Sequence, residues 1–328
     1  MFNDWLILHG GALGDLALTL RFALHLPGIQ LGGALHVVSR TDPGDLSLCR
    51  PSIRRYSSEG AGWHWLFSEL DEAPPERLTQ LAAGRRVLSA LGGVETRVHE
   101  RLERLGAEAV YSFDPRPEPE AATHILKQWR RRLEGQGVLI CKCIHQYRGG
   151  PRLHVPDEWR TESTSSRDES ETTQPVAQPA KGQPILIHPG SGGRAKCWPL
   201  PKFVELARLL QSERGAVVRF LLGPVELETW PDERLDALRW EFDTLEMPRT
   251  NDLVRHLASA RCLIGNDSGP AHLAALLETP TVTIFGPTAS AVWRPVSPVA
   301  RVLQAGPTSA DEEDWGISIE TVAAQVPE

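Results

Sequence analysis

Short apolar runs recur along the chain. Most are followed by a glycine- or proline-bearing turn and then by a segment whose apolar positions fall three and four apart. Trp5–His9, Leu35–Ser39, Ala109–Phe113, Val138–Ile144, Ile185–His188, Val217–Leu222, Cys262–Ile264, Thr281–Phe285 and Arg301–Gln304 read as strands. Leu16–Leu26, Arg77–Leu91, Glu95–Leu105, Glu118–Leu133, Pro199–Gln211, Asp232–Glu241, Asn251–Ala260, Ala271–Leu277 and Ser318–Val326 read as helices. Pro199 suits a first helical turn, where its missing N–H costs nothing. Residues 40–75 are broken by Pro, Gly and Ser and predict no ordered succession. Strands that alternate with helices predict an α/β fold with parallel sheets.

One stretch interrupts the pattern. Arg160–Gln183 is rich in Ser, Thr, Glu, Gln and Pro, and Val176 is its only large apolar residue. That composition predicts a flexible linker. The segments before and after it each open with a strand, a glycine-rich turn and a helix. This predicts two Rossmann-like domains facing each other across a cleft: residues 1–159, a linker 160–183, and residues 184–328, with the closing helix able to pack back on the first domain.

Composition narrows the function classes. The chain has 328 residues, is 41% hydrophobic and carries a formal net charge of −7. That balance argues against nucleic acid as the main partner. No apolar run approaches a membrane span of about 20 residues. MFNDWLILHGGALGD lacks the basic start of a signal peptide. The five cysteines include a lone Cys141-x-Cys143 and otherwise show no metal-like spacing, so they predict reduced thiols in a cytoplasmic protein.

Four constellations carry candidate chemistry. Gly11–Asp15, GALGD, lacks the full dinucleotide-binding glycine spacing, and Asp15 is either a helix-start charge or a general base. In HPGSGGRAKCWP, His188–Pro199, small residues allow close backbone approach to an anion. Ser191 offers a hydroxyl and Lys196 a charge. In LLGPVELE, Leu221–Glu228, Glu228 is either a solvated helix-start carboxylate or an acceptor for ribose hydroxyls. In CLIGNDSGPAHLAALL, Asp267, Ser268 and Gly269 precede a helix with His272 in its first turn. A strand–turn–helix of this kind aims N–H groups and the helix dipole at a phosphate.

These stretches, with Thr244–Thr288 as a whole, resemble glycosyltransferase family 9, the ADP-heptose:lipopolysaccharide heptosyltransferases. The tail ISIETVAAQV resembles that family's closing helix. The resemblance implies a GT-B fold whose C-terminal domain holds a nucleotide-sugar and whose N-terminal domain holds the acceptor. It implies Asp15 as catalytic base, Lys196 at the donor's phosphates, and Asp267, Ser268, Gly269 and His272 around phosphates and sugar, while the Ser191 hydroxyl would join Lys196 in stabilising the departing diphosphate. It places Glu228 at the nucleoside. The reaction it implies is inverting and metal-independent, with no cofactor and ADP-heptose as co-substrate. The expected acceptor is lipopolysaccharide core or another surface glycan at the cytoplasmic face of the inner membrane. Read from its residues, the basic segment Ile125–Leu133, with Lys127, Arg130, Arg131 and Arg132, is either an ordinary solvated face or a point of peripheral contact. The family's central D-L-Q-G type motif is absent, with Tyr111–Asp114 in its place. Two alternatives stay open: a non-catalytic nucleotide-sugar-binding module and, with its poor glycine fingerprint, an NAD-dependent oxidoreductase.

Overall fold

The computed structural model describes residues 3–70, 72–92, 96–140, 150–160, 182–247, 250–306 and 315–328. The chain forms two units. One runs to His154 and includes Ala289–Pro298; the other comprises Val155–Thr288 and Val299–Glu328.

In the first unit the order is β1 (Trp5–His9), α1 (Leu13–Ala23), β2 (Leu35–Ser39), β3 (Ile53–Ser57), α2 (Ser58–Ala61), α3 (Glu76–Ala82), β4 (Arg86–Ala90), α4 (Thr96–Arg104), β5 (Ala109–Ser112) and α5 (Ile125–Glu134). The sheet order is β3-β2-β1-β4-β5, all parallel. Every residue of β1 and β2 is buried, which explains their unbroken apolar reading. Trp5 pairs with Leu35 on one side and Arg86 on the other.

The structure corrects several expectations here. Arg77–Leu91 is not one helix. It ends at Ala82, Gly84 follows with φ +68°, and Arg86–Ala90 becomes the strand beside β1. Residues 40–75 contain β3. Helix α5 starts only at Ile125, because the prolines at 115, 117 and 119 keep the preceding stretch extended or turned. Its three arginines are engaged within the chain. Arg130 pairs with Glu134, Arg131 donates to Thr123, and Arg132 donates to the Asp114 and Arg116 carbonyls. Of the expected Val138–Ile144 strand, Val138–Ile140 form no strand, and the remainder, with the Cys141–Cys143 pair, lies outside the described residues.

The second unit contains β6 (Ile185–His188), α6 (Leu200–Arg214), β7 (Val218–Leu222), α7 (Pro224–Thr229), α8 (Asp232–Glu241), β8 (Asp243–Glu246), α9 (Thr250–Ser259), β9 (Cys262–Asn266), α10 (Gly269–Leu276) and β10 (Thr281–Phe285). After α11 (Ser290–Trp293), which belongs to the first unit, come β11 (Ala300–Gln304) and α12 (Ile319–Ala323). The sheet order is β11-β10-β9-β6-β7-β8, again all parallel. Its core joins Ile185, Ile187, Phe203, Phe220 and Ile264 to Val322 and Val326 of the tail. The closing helix α12 therefore packs on α6 within the second unit.

Two domain expectations also change. Ala289–Pro298 was assigned with the C-terminal domain, yet it joins the first unit. There Val292 and Val296 are buried and the His124 Nε2–H donates to the Arg294 carbonyl at 2.9 Å. Residues 161–181, the bulk of the expected linker, lie outside the described residues. The flanking residues meet: Gln183 donates to the Arg160 carbonyl at 2.7 Å, and Arg160 donates to the Leu277 carbonyl at 3.0 Å. The polar stretch thus leaves and re-enters the second unit at one place. Among the described residues no helix is long and apolar enough to cross a membrane.

Candidate functional site

Both sheets have a point where the winding reverses beside the first strand. In the first unit the chain moves outward through β1, β2 and β3 and then returns to β4. In the second it moves through β6, β7 and β8 and returns to β9. Open parallel sheets bind ligands outside the carboxyl ends of the strands at such a reversal, where neighbouring loops diverge. The sequence-derived candidates fall on these two points.

In the first unit the loop after β1 carries Asp15 in the first turn of α1. Thr41, two residues past the end of β2, donates its hydroxyl to the Gly11 carbonyl at 2.9 Å and ties the loop down. Gly11 sits between two side chains: a Cβ there would lie 2.9 Å from the His9 Cε1 and 3.1 Å from an Asp15 carboxylate oxygen. His9 is fully buried, and burial lowers its pKa to about 4. Its Nδ1 accepts from the Gly11 N–H at 3.3 Å, so Nε2 carries the proton. That Nε2 is buried without a protein partner. Asp15 itself is half-buried, at the mouth of the loop.

In the second unit the glycine loop after β6 meets the turn after β9. Lys196 Nζ lies 3.0 Å from Asp267 Oδ2, and His272 Nε2 lies 3.4 Å from Asp267 Oδ1. The carboxylate is thus held at both oxygens. Burial works against its charge, but the hydrogen bonds and charges of His272 and then Lys196 prevail and hold it below the usual carboxylate range. Ser191 Oγ donates to the Asp267 carbonyl at 2.7 Å. This departs from the expected role: the Ser191 proton ties the two loops together and is not offered to an anion.

Ser268 is the N-cap of α10, yet its side chain caps nothing, and its Oγ is buried without a protein partner. His272 Nδ1 is also buried and unpartnered. Gly269 and Ala271 carry N–H groups in the first turn, whereas Pro270 has none. Two orphaned polar atoms, a helix N-terminus and a half-exposed ammonium thus converge where the sheet winding reverses. An anion would satisfy the Ser268 hydroxyl, the first-turn amides and the ammonium.

The third constellation shifts by one residue pair. Glu228 is exposed on α7 and does not line the neighbouring cavity. Glu226 is 2% exposed and accepts from the Gly223 N–H at 2.8 Å. Its other carboxylate oxygen lies so close to Gly190 that a Cβ there would overlap it. The carboxylate facing the glycine loop is therefore Glu226. The signal for it was the G-P-V-E spacing, which puts a glutamate at the third helical position, able to reach back to the turn that starts the helix.

Beside these residues lies a cavity of about 1100 Å³, walled by Gly190–Arg194, Cys197–Pro201, Val225, Glu226, Trp230 and Arg234. Lys196, Asp267 and His272 are not in its wall. The glycine loop borders the cavity with one edge and meets Asp267 with the other. The arrangement suits a ligand with an apolar, hydroxyl-bearing end and a polyanionic end.

Comparison with known proteins agrees with this geometry. A model described as "Glycosyltransferase family 9 (heptosyltransferase)" matches residues 142–314, just over half of the chain. Lipopolysaccharide heptosyltransferase 1 of Campylobacter coli is 36% identical over 110 residues, 32% of this chain and 32% of that protein. Lipopolysaccharide heptosyltransferase 2 of Escherichia coli K12 is 30% identical over 158 residues, 46% of this chain and 45% of that protein. The matches therefore span from a third to less than half the length of these relatives. Among solved structures, a glycosyltransferase family 9 protein of Veillonella parvula DSM 2008 aligns with TM-score 0.64 and 17% identity over 99% of this chain and 96% of that one. The E. coli heptosyltransferase WaaC, solved with ADP, aligns with TM-score 0.61 and 18% identity over 98% of both chains. At these identities the likeness is one of fold: two Rossmann-like α/β units, the GT-B architecture.

Proposed function

Because the chain belongs to glycosyltransferase family 9, we propose that it is an inverting glycosyltransferase. It moves heptose from ADP-heptose to a lipopolysaccharide-core or related surface-glycan acceptor. The observation that carries this reading is the meeting of Lys196, Asp267, the unpartnered Ser268 hydroxyl and the α10 N-terminus where the second sheet reverses. Such a site fits a nucleoside diphosphate better than a dinucleotide, whose glycine fingerprint is missing. WaaC has been solved with ADP and with a fluorinated ADP-heptose, which supports the choice of donor.

In the proposed reaction the acceptor hydroxyl attacks the anomeric carbon of the sugar. The bond from that carbon to the diphosphate oxygen breaks, and ADP departs with the electron pair. Asp15 takes the acceptor's proton. Attack from the face opposite the leaving group inverts the anomeric centre. Negative charge grows on the departing diphosphate, and Lys196, the Ser268 hydroxyl and the first-turn amides of α10 stabilise it there. Lys196 keeps two ammonium protons for the phosphate while paired with Asp267. The nucleoside occupies the cavity beside the glycine loop, with Glu226 accepting from the ribose hydroxyls. The residues assigned supply this stabilisation without calling on a metal ion.

The decisive assay is transfer from ADP-heptose to an acceptor by wild type and by Asp15→Asn. The expected outcome is turnover in wild type and a loss of at least about a hundredfold in the variant, with ADP affinity unchanged. Full turnover by Asp15→Asn would remove it as the base. No transfer by wild type from ADP-heptose or any other nucleotide-sugar would overturn the activity itself.

A further inference from the structure

Asn266 is the last residue of β9 and is fully buried. Its side chain makes no bond along its own strand. Oδ1 accepts from the Trp198 N–H at 2.9 Å. Nδ2 donates to the Pro189 carbonyl at 2.8 Å and lies 3.4 Å from the Gly190 carbonyl. The amide orientation is fixed by these partners, since an N–H must meet an oxygen and a carbonyl must meet an N–H. Pro189 and Gly190 begin the glycine loop; Trp198 ends it. One side chain therefore holds both ends of the loop that carries Ser191 and Lys196.

The backbone explains why this reach is possible. His188 pairs with Gly265 across the β6–β9 boundary. A Cβ on Gly265 would lie only 2.7 Å from the His188 carbonyl oxygen. With glycine there the two strands close up, and the next residue, Asn266, comes level with Pro189. Asp267 follows directly and receives Ser191 on its carbonyl and Lys196 on its carboxylate. The latch and the charged pair are consecutive residues of one strand end.

We propose that Asn266 is a positioning residue for the diphosphate. It touches no substrate, but it closes the glycine loop on itself and sets where Lys196 stands relative to the α10 N-terminus. This rests on the donor-site reading given above. An open loop would leave the Lys196 charge in place in the sequence but spread over many positions, and an ammonium is effective only at a defined distance from the growing charge.

Two substitutions separate the two halves of the latch. Asn266→Asp keeps an acceptor for Trp198 but sets an oxygen against the Pro189 carbonyl, releasing one end of the loop. Asn266→Leu, of similar volume, releases both. ADP affinity by calorimetry, donor and acceptor KM, kcat, and hydrogen exchange of the 189–198 segment are measured on the folded full-length protein. The expected result is ADP binding weakened about tenfold in Asn266→Asp and further in Asn266→Leu. Donor KM should rise in step, acceptor KM should stay put, and exchange in the loop should quicken without a matching rise in β9 or α10. A residue that merely supported the fold would lower the melting temperature and the active fraction, leaving the ADP affinity of the folded fraction unchanged. ADP affinity within twofold of wild type in a folded variant overturns the proposal. If Asn266→Leu does not fold, Asn266→Asp, which exchanges a single group, carries the test alone. If wild type itself binds no ADP, the donor reading fails, and unchanged loop exchange in Asn266→Asp would then overturn the latch separately.

Discussion

At the scale of single residues, one glycine and one histidine carry the sharpest consequences. Gly190 has no room for a methyl group because the Glu226 carboxylate fills that space. Gly190→Ala should destabilise the second unit by about 1–3 kcal/mol and weaken ADP binding by displacing Glu226, read by urea unfolding and calorimetry. His9 gives a pH dependence with a definite sign. Its folded pKa, about 4, lies below the unfolded value of 6.5, so the unfolded chain binds the extra proton first. Stability should therefore fall as pH drops from about 6.5 towards 4, by up to about 3 kcal/mol from this residue. In His9→Gln the urea midpoint should vary less over that window; an unchanged slope would show that His9 does not set it. Asp267 contributes in the same direction at lower pH. Its depressed carboxyl supplies stability that is complete above the ordinary carboxylate pKa and lost as acid protonates it. Asp15, Lys196, Asp267, Ser268 and His272 were all legible as residue types in glycine-punctuated turns. Glu226 was not separated from Glu228, because sequence gives the spacing of two carboxylates but not which one a short helix turns inward.

At the scale of elements, the strands that read clearly are those buried on both faces, such as β1, β2, β6 and β10. Strand β4 was hidden, although it sits next to β1. Its sequence RVLSA continues the apolar spacing of α3, and only Gly84 marks the break. Strand β8, DTLE, was missed for the opposite reason: it is an edge strand, with its two end residues exposed. Tertiary pairing, not local pattern, makes both of them strands. The polar stretch was legible as a break in composition, but its role was not. Because Arg160 and Gln183 are hydrogen-bonded, the segment between them need not span any distance. Replacing residues 161–181 by a short Gly-Ser turn should leave the melting temperature within a few degrees of wild type and ADP affinity unchanged. A collapse of either would show that the segment packs on something essential.

At the scale of the whole molecule, each unit has its own parallel sheet, but they do not correspond to two lengths of sequence. The segment Ala289–Pro298 belongs to the first unit, although it follows β10 of the second. A fragment ending at His154 should therefore be less stable than the same fragment with residues 289–298 fused to it through a flexible linker. Urea unfolding of the two checks this, and equal midpoints would show the segment to be dispensable. The arrangement also orders events at the ribosome. The first unit is made before the second, but the seat for Val292 and Val296 stays empty until β6 to β10 of the second have been made. Strand β11, which closes one side of the second sheet, comes later still. The early unit must therefore wait, incomplete and with apolar surface showing, through the synthesis of its neighbour. That delay leaves the nascent protein open to misassembly, whatever the stability of the finished one.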